Sequence, residues 1–164
     1  MRTTIFGLIL IALSAHVSAN EHAASLTRDV WIPFVEGVNA NDPARYNGVN
    51  SKDFFWVAAG PRTRIMNLHE YITDAVVVFK AREKKGAKGE IDVRFMERHV
   101  NSEFASEKII MKYTATEPGV APQTSYGIMQ IFSRKENGVW RKLVQQVNLG
   151  SATPEMWSAA TPLS

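Results

Sequence analysis

Glu107 is a carboxylate in apolar company. It lies in Phe104–Tyr113, a segment whose apolar and polar residues alternate as a two-faced strand requires. There it shares parity with Ala105, Ile109, Met111 and Tyr113, the apolar face. The preceding segment, Glu90–Val100, alternates in the same way, and Asn101, Ser102 and Glu103 connect the two. A turn of two or four residues places Arg94, Met96 and Arg98 on the face of Glu107, with Arg98 opposite it or one diagonal step away. A turn of odd length substitutes Glu97 and His99. Two chemistries are open. In one, Arg98 binds an anionic or carbonyl group while Glu107 orients it or acts as a base. In the other, the pair is a cross-strand ion pair, the partner that any buried charge needs. A third reading puts the pair in an interface between subunits.

His99 is the second acid/base candidate, because it shares a strand with Arg98. His69 falls at the second position of a predicted helix, and His22 lies near the start of the expected mature chain. Tyr46, Trp56 and Tyr126 are candidate pocket walls, and Gln130, which shares parity with Tyr126, is a candidate ligand contact. The competing reading of each aromatic is plain core, and Trp140 is assigned there. No histidine pair or cluster of acids has metal-ligand spacing, and no glycine-rich loop precedes a helix, so neither a metal nor a nucleotide cofactor is implied.

The elements that must position these residues follow from periodicity. Tyr126–Arg134 and Val139–Val147 read as two further strands, joined at Asn137-Gly138, a strong hairpin signal. A curved antiparallel sheet is expected from Glu90 to Val147. Upstream, Leu26, Val30, Phe34 and Val38 recur every four residues on one helical face, with Pro33 predicting a kink or a frayed first half. Asn41-Asp42-Pro43 caps a short helix over Pro43–Asn47. Phe54–Val57 is a short strand, Ala59-Gly60-Pro61 a turn, and Arg62–Met66 a return strand. Asn67 and Glu70 form a capping box for a helix that runs to Lys85 and stops at Gly86, with Leu68, Ile72, Ala75, Val76 and Phe79 as its apolar stripe. The lysines and Arg82 in its last turns complement the helix dipole. The tail from Asn148 has no clear period, although Met156-Trp157 can dock as a short turn. Helices first and long strands last make the class α+β, with about three helices packed on one face of the sheet.

Composition bounds the setting. Residues 1–19 carry Arg2, an apolar run from Ile5 to Leu13 and the small-residue site Val17-Ser18-Ala19, the pattern of a cleaved secretory signal. Residues 20–164 are then a single domain, placed in the periplasm or outside the cell. The 164 residues contain no cysteine, which excludes disulfides and thiolate chemistry. Removing the leader takes away one base and no acid, leaving 18 basic against 16 acidic residues, too even for a nucleic-acid surface. No membrane contact is expected after cleavage.

The order of these motifs resembles the nuclear-transport-factor-2-like superfamily, in particular its small secreted or bacterial branches related to ketosteroid isomerases and polyketide cyclases. The resemblance rests on Asn39–Tyr46, Asp53–Val57, Arg64–Tyr71 and the Asn-Gly-x-Trp turn within Arg134–Leu143, and spans about 26–147. It implies a cone: three helices against a strongly curved sheet, a pocket at the open end, and a homodimer formed through the outer sheet face. Many relatives carry histidines a few residues beyond the tryptophan of the last strand; Gln145 and Val147 stand in those places here, so Gln145 is a ligand-contact candidate. Arg141-Lys142 is one residue long against that pattern, which predicts a bulge. The expected function is an exported small-molecule-binding or accessory domain with an apolar pocket, taking a small apolar or carbonyl-containing ligand. The alternatives are a cofactor-free lyase, isomerase or hydrolase using Glu107 or His99, and an interaction module using the outer sheet face.

Overall fold

The computed structural model describes residues 20–58, 63–149 and 152–163. The leader and the expected Ala59-Gly60-Pro61 turn lie outside these residues. The first helix, α1, runs over 20–39 but is not uniform. Thr27–Trp31 is a π turn, in which the Ile32 N–H reaches the Thr27 carbonyl, and Ile32–Asn39 is regular α-helix. Pro33 explains the departure. Its ring collides with the carbonyl four residues back in a regular turn, and widening the turn just upstream relieves that collision. The predicted kink is therefore a π bulge, and the first half is helical rather than frayed. The extra residue per turn also brings Val30 and Trp31, neighbours in sequence, into the core together.

Helix α2, Pro43–Asn47, is capped by Asp42, whose side chain accepts from the Ala44 and Arg45 N–H groups at 3.0 Å each. Strands β1 (Asn50–Ala58) and β2 (Arg64–Asn67) follow. Helix α3, Leu68–Lys85, has the predicted Asn67–Glu70 capping box and ends at Gly86, with φ of 62°. Its buried stripe is Tyr71, Ala75 and Phe79, so the stripe predicted through Ile72 and Val76 is rotated. The long strands are β3 (Lys88–Val100), β4 (Phe104–Thr116), β5 (Gln123–Glu136) and β6 (Val139–Leu149). Asn137 and Gly138, with φ of 51° and 84°, make the hairpin turn between the last two.

The sheet order is β2-β1-β6-β5-β4-β3, with a two-residue strand β7 (Thr161–Pro162) beyond β3, and it is antiparallel except where β1 runs parallel to β6. Two bulges decide which side chains face the helices. On β3, Phe95 pairs with Ile109 and Glu97 with Lys108, so Met96 is the extra residue. Strand parity reverses there, which overturns the expectation that Arg94, Met96 and Arg98 share the face of Glu107; Arg98 alone does. On β6, Ser133 pairs with Lys142 and Phe132 with Val144, so Leu143 is extra, beside the place where a bulge is predicted. Residues 142 and 145 both face inward as a result.

The concave face closes on α1 through Leu26, Val30, Phe34, Ile109, Met129 and Trp140, and on α3 through Tyr71, Phe54 and Met66. The tail is more ordered than its lack of period predicts. Thr153 caps α4 (Pro154–Ala159), and β7 (Thr161–Pro162) adds to the edge of β3. Trp157 packs on Ile110, covering part of the convex face.

Gly37 lets α1 and α2 approach. A Cβ built there would lie 2.5 Å from the Tyr46 backbone N and 2.8 Å from its Cα. Alanine favours a helix over glycine by about 1 kcal/mol, but overpacking against backbone costs about 1–3 kcal/mol. Gly37→Ala is expected to lose stability in urea unfolding; an unchanged or raised midpoint would refute the close approach.

Candidate functional site

Between α1, α3 and the concave sheet lies a cavity of about 250 Å³. Its walls include Phe34, Trp56, Phe79, Met111 and Met129, and its polar groups are Tyr46, Tyr71, Asp74, Arg82 and Gln145. Each polar group has a local reason for its position. Tyr46 leaves α2 where Gly37 permits contact. Tyr71 sits in the first turn of α3, held by the capping box. Gln145 faces inward because of the Leu143 bulge, and Trp56 lies directly beside it on the parallel neighbour β1.

These groups form two neighbouring hydrogen-bonded clusters. The Tyr46 and Tyr71 hydroxyls hydrogen-bond each other, and their rings stack with centroids 5.8 Å apart. Gln145 lies close enough to the Tyr71 hydroxyl to lower its pKa against the effect of burial. Behind it, Lys142 Nζ donates to Gln145 Oε1 at 2.6 Å, while Gln145 Nε2 donates to Met129 Sδ at 3.4 Å. Lys142 is 1% exposed. Its ammonium lies 4.2 Å from the Phe34 ring centroid, 5.6 Å from Phe54 and 5.9 Å from Tyr46. Among the described ion pairs, none supplies it with a carboxylate. Ring faces and one amide oxygen stand in for a counter-ion.

Burial dominates the titration of this group. It lowers the Lys142 pKa from 10.5 to about 7. Burial raises Tyr46, against the opposing effects of the Tyr71 hydrogen bond and the Arg82 charge. Tyr71 is raised well above 10, by burial first and by Tyr46 second. Both hydroxyls therefore stay protonated as donors at neutral pH, while Lys142 exchanges its proton there.

Glu107 and Arg98 lie elsewhere, beneath α1. They are directly paired across β3 and β4, with Arg98 Nε donating to Glu107 Oε1 at 2.8 Å. Trp31 Nε1 donates to Glu107 Oε2 at 2.8 Å. Arg98 Nη2 donates to the Ala23 carbonyl and to Thr27 Oγ1, and its guanidinium stacks 3.7 Å from the Phe95 centroid. Glu107 is fully buried, both of its oxygens are bonded, and neither it nor Arg98 lines the cavity. Burial raises the Glu107 pKa, with Arg98 and Trp31 opposing.

The other predicted residues divide between the two faces. Tyr46, Trp56 and Gln145 line the cavity. Arg94, Tyr126 and Gln130 do not, which corrects their expected place in a common pocket. Arg94 is carried to the convex face by the Met96 bulge, and Tyr126 and Gln130 take the parity opposite to Met129 and Ile131. Arg94 Nη1 donates to the Trp157 carbonyl at 3.1 Å and stacks on that ring, Tyr126 packs near the same ring, and Gln130 donates to Ser106. His99 pairs with Ser106 and lies in an open surface depression beside the exposed rings of Phe104 and Phe132. Sequence reasoning missed Lys142 and Tyr71 as site residues. A signal for Lys142 was present: it stands two residues after Trp140 and so shares its inward parity. Tyr71 was hidden by the rotated stripe on α3. Among the described residues, no three His, Asp or Glu side chains gather closely enough to hold a metal ion.

No family model matches the sequence, and no curated protein matches it. Solved structures do match. A ketosteroid isomerase-like protein from Erwinia carotovora atroseptica aligns with a TM-score of 0.59 at 13% identity, over 81% of this chain and 99% of that one. An NTF2-like protein with a cystatin-like fold from Novosphingobium aromaticivorans aligns at 0.65 and 11% identity, over 91% and 95%. ActVI-ORFA from Streptomyces coelicolor aligns at 0.62 and 8% identity, over 76% and 92%. The chain has the nuclear-transport-factor-2-like fold. In these terms the cavity occupies the inside of the cone, Glu107 fastens the first helix to its wall, and Trp157 lies on its outside.

Two variants separate the buried charges. Glu107→Ala strands Arg98 and Trp31 and is expected to cost about 3–5 kcal/mol in chemical unfolding; a loss below about 1 kcal/mol would contradict the fastening role. Lys142→Met should act oppositely. Below pH 7 both folded and unfolded chains protonate Lys142, so its burial cost is present in full. From pH 7 to 10 the unfolded chain alone holds the proton, and stability rises with pH. The methionine variant should melt higher than wild type at pH 6 and lack that rise, whereas parallel pH–stability curves would show that Lys142 is not buried as a cation. Above pH 10 the raised tyrosines reverse the slope in both proteins.

Proposed function

We propose that this chain binds a small, mainly apolar molecule inside the cone, with a carbonyl or hydroxyl oxygen of the ligand set against the Tyr46–Tyr71–Gln145 group. The observation that carries this reading is the placing of the bonded tyrosine pair and of Gln145, held by Lys142, at the wall of an otherwise aromatic and aliphatic cavity. Packing alone does not require Lys142: a methionine of similar length would fill the space without the cost of burying an ammonium. Its hydrogen bond holds the Gln145 carbonyl and so turns the Gln145 amide nitrogen toward Met129. Ligand sites characteristically combine apolar walls with a few placed polar groups.

Acid–base catalysis without a cofactor is the second reading, favoured by Asp74. This carboxylate lines the same cavity as the two tyrosine hydroxyls and, once released from its pairing with Arg64, can remove a proton beside a carbonyl while the hydroxyls hold the developing oxyanion. Among the neighbours in fold is a protein described as ketosteroid isomerase-like, consistent with such chemistry. Glu107 enters that scheme only by releasing Trp31 and Arg98, and His99 only from the other face of the sheet.

Titration with 2-naphthol, followed by its fluorescence, tests the binding reading. Wild type should bind. Tyr71→Phe, which removes one hydroxyl, should weaken binding about tenfold, the equivalent of roughly 1.4 kcal/mol and one hydrogen bond. Ala75→Phe, which fills the cavity from α3, should abolish it. No binding by wild type, or equal binding by all three proteins, would overturn the proposal.

A further inference from the structure

Arg82 has a buried cationic nitrogen without a partner. It lies near the end of α3, and its guanidinium carbon sits 5.3 Å from the Phe79 ring centroid and 5.4 Å from that of Tyr113. Nη1 is shielded from solvent and makes no hydrogen bond. The same side chain lines the cone cavity, and its charge is felt at the Tyr46 hydroxyl. It also lines a second recess of about 350 Å³ on the outer side, shared with Tyr113 and bordered by Lys85 and Lys88. Arg82 and Tyr113 thus stand where the interior meets the surface.

The backbone has been cleared for this arrangement. A Cβ on Gly89 would lie 2.3 Å from the Tyr113 hydroxyl and 3.0 Å from Arg82 Nη1. The two polar groups therefore converge on one small volume above a residue with no side chain. The nearby acids are committed elsewhere: Glu117 pairs with Lys85 at 3.3 Å and Asp74 with Arg64 at 3.3 Å. A buried donor on a charged group is expensive to leave unmade, and native structures rarely do so without a reason. A guanidinium held by two rings, with its buried Nη1 unbonded, is pre-organised for an anion.

We infer that the cavity ligand carries a carboxylate, which Arg82 Nη1 binds at the mouth of the cone beside the Tyr113 hydroxyl while the apolar body points inward toward Tyr46 and Tyr71. This rests on the binding reading above and narrows its ligand class to apolar carboxylic acids. Lys85 and Lys88 at the rim add a positive field that favours approach of such an anion. The carboxylate supplies the acceptor that Nη1 lacks, and the Phe79 and Tyr113 rings keep the guanidinium from swinging out to water.

The test compares 2-naphthoate with 2-naphthamide, matched in shape and differing in charge, with 2-naphthol as the neutral reference for the cavity. Calorimetric titration of wild type should show at least a tenfold preference for the acid, weakening as salt rises. Arg82→Gln should erase that preference, bringing 2-naphthoate affinity down to that of 2-naphthamide. Arg82→Lys, which keeps the charge but not the fork, should retain part of it and guards against a fold defect in the first variant. Equal affinity of wild type for acid and amide, or a preference that survives Arg82→Gln, overturns the inference and means that water satisfies Nη1. If 2-naphthol binds in those cases, the cavity reading stands alone. If none of the three probes binds, both fall together.

Discussion

A carboxylate under a helix organises this cone. Glu107 is anchored on the interior strand β4 and takes one hydrogen bond from the sheet, through Arg98, and one from α1, through Trp31. Arg98 extends the fastening to the Ala23 carbonyl and Thr27. The first helix is thereby held at a single height over the curved wall, and everything inside the cone is measured from that height. The π turn belongs to the same device. It accommodates Pro33 and turns Trp31 inward, so a backbone irregularity and a buried ion pair depend on each other.

Two charged residues are buried in the concave face, and their surroundings differ in kind. Glu107 has a hydrogen bond to each oxygen and a cation beside it, the arrangement expected where a buried charge serves the fold. Lys142 has rings and an amide oxygen, and burial lowers its pKa to about 7. A buried lysine without a counter-ion adds little to stability. Its neighbour Gln145 lines, with the tyrosine pair, a recess of the concave core walled by Phe34, Trp56 and Met129. Incomplete satisfaction, more than the presence of charge, separates the candidate site from the scaffold.

The same distinction draws attention to Arg82 at the mouth. Scaffold pairs such as Arg45–Glu36 and Lys85–Glu117 sit at the surface, where they contribute little. Arg82 is clamped by aromatic rings and keeps a buried nitrogen without a hydrogen bond. The cone fold is shared with proteins at 8–13% identity, a level at which the wall is common property and the lining is individual. Function in such a fold resides in which side chains the lining presents.

Much of the scaffold is legible in local sequence. Asp42 and Asn67 are helix caps wherever the chain runs, Asn137-Gly138 turns a hairpin by its own backbone preference, and the alternation of β4 and β5 separates inner from outer residues without reference to anything distant. Glu107 stands out for the same reason, being polar within an apolar parity. The identity of its partner was less secure, because parity counts only hold between irregularities. The bulge at Met96 reverses β3, leaving Arg98 inside and sending Arg94 out. The bulge at Leu143 brings Gln145 to the same side as Lys142, which Trp140 parity already marks as inward. A bulge is a compromise among neighbouring strands, and no single strand encodes its exact position. Composition and periodicity by themselves determined the helices, the hairpins and the curved sheet, since each arises from interactions within a few residues. Only the tertiary structure decided which tyrosines meet, that Lys142 is sealed among rings and that Arg82 keeps a nitrogen without a hydrogen bond, because these are properties of the space left when distant segments close on one another.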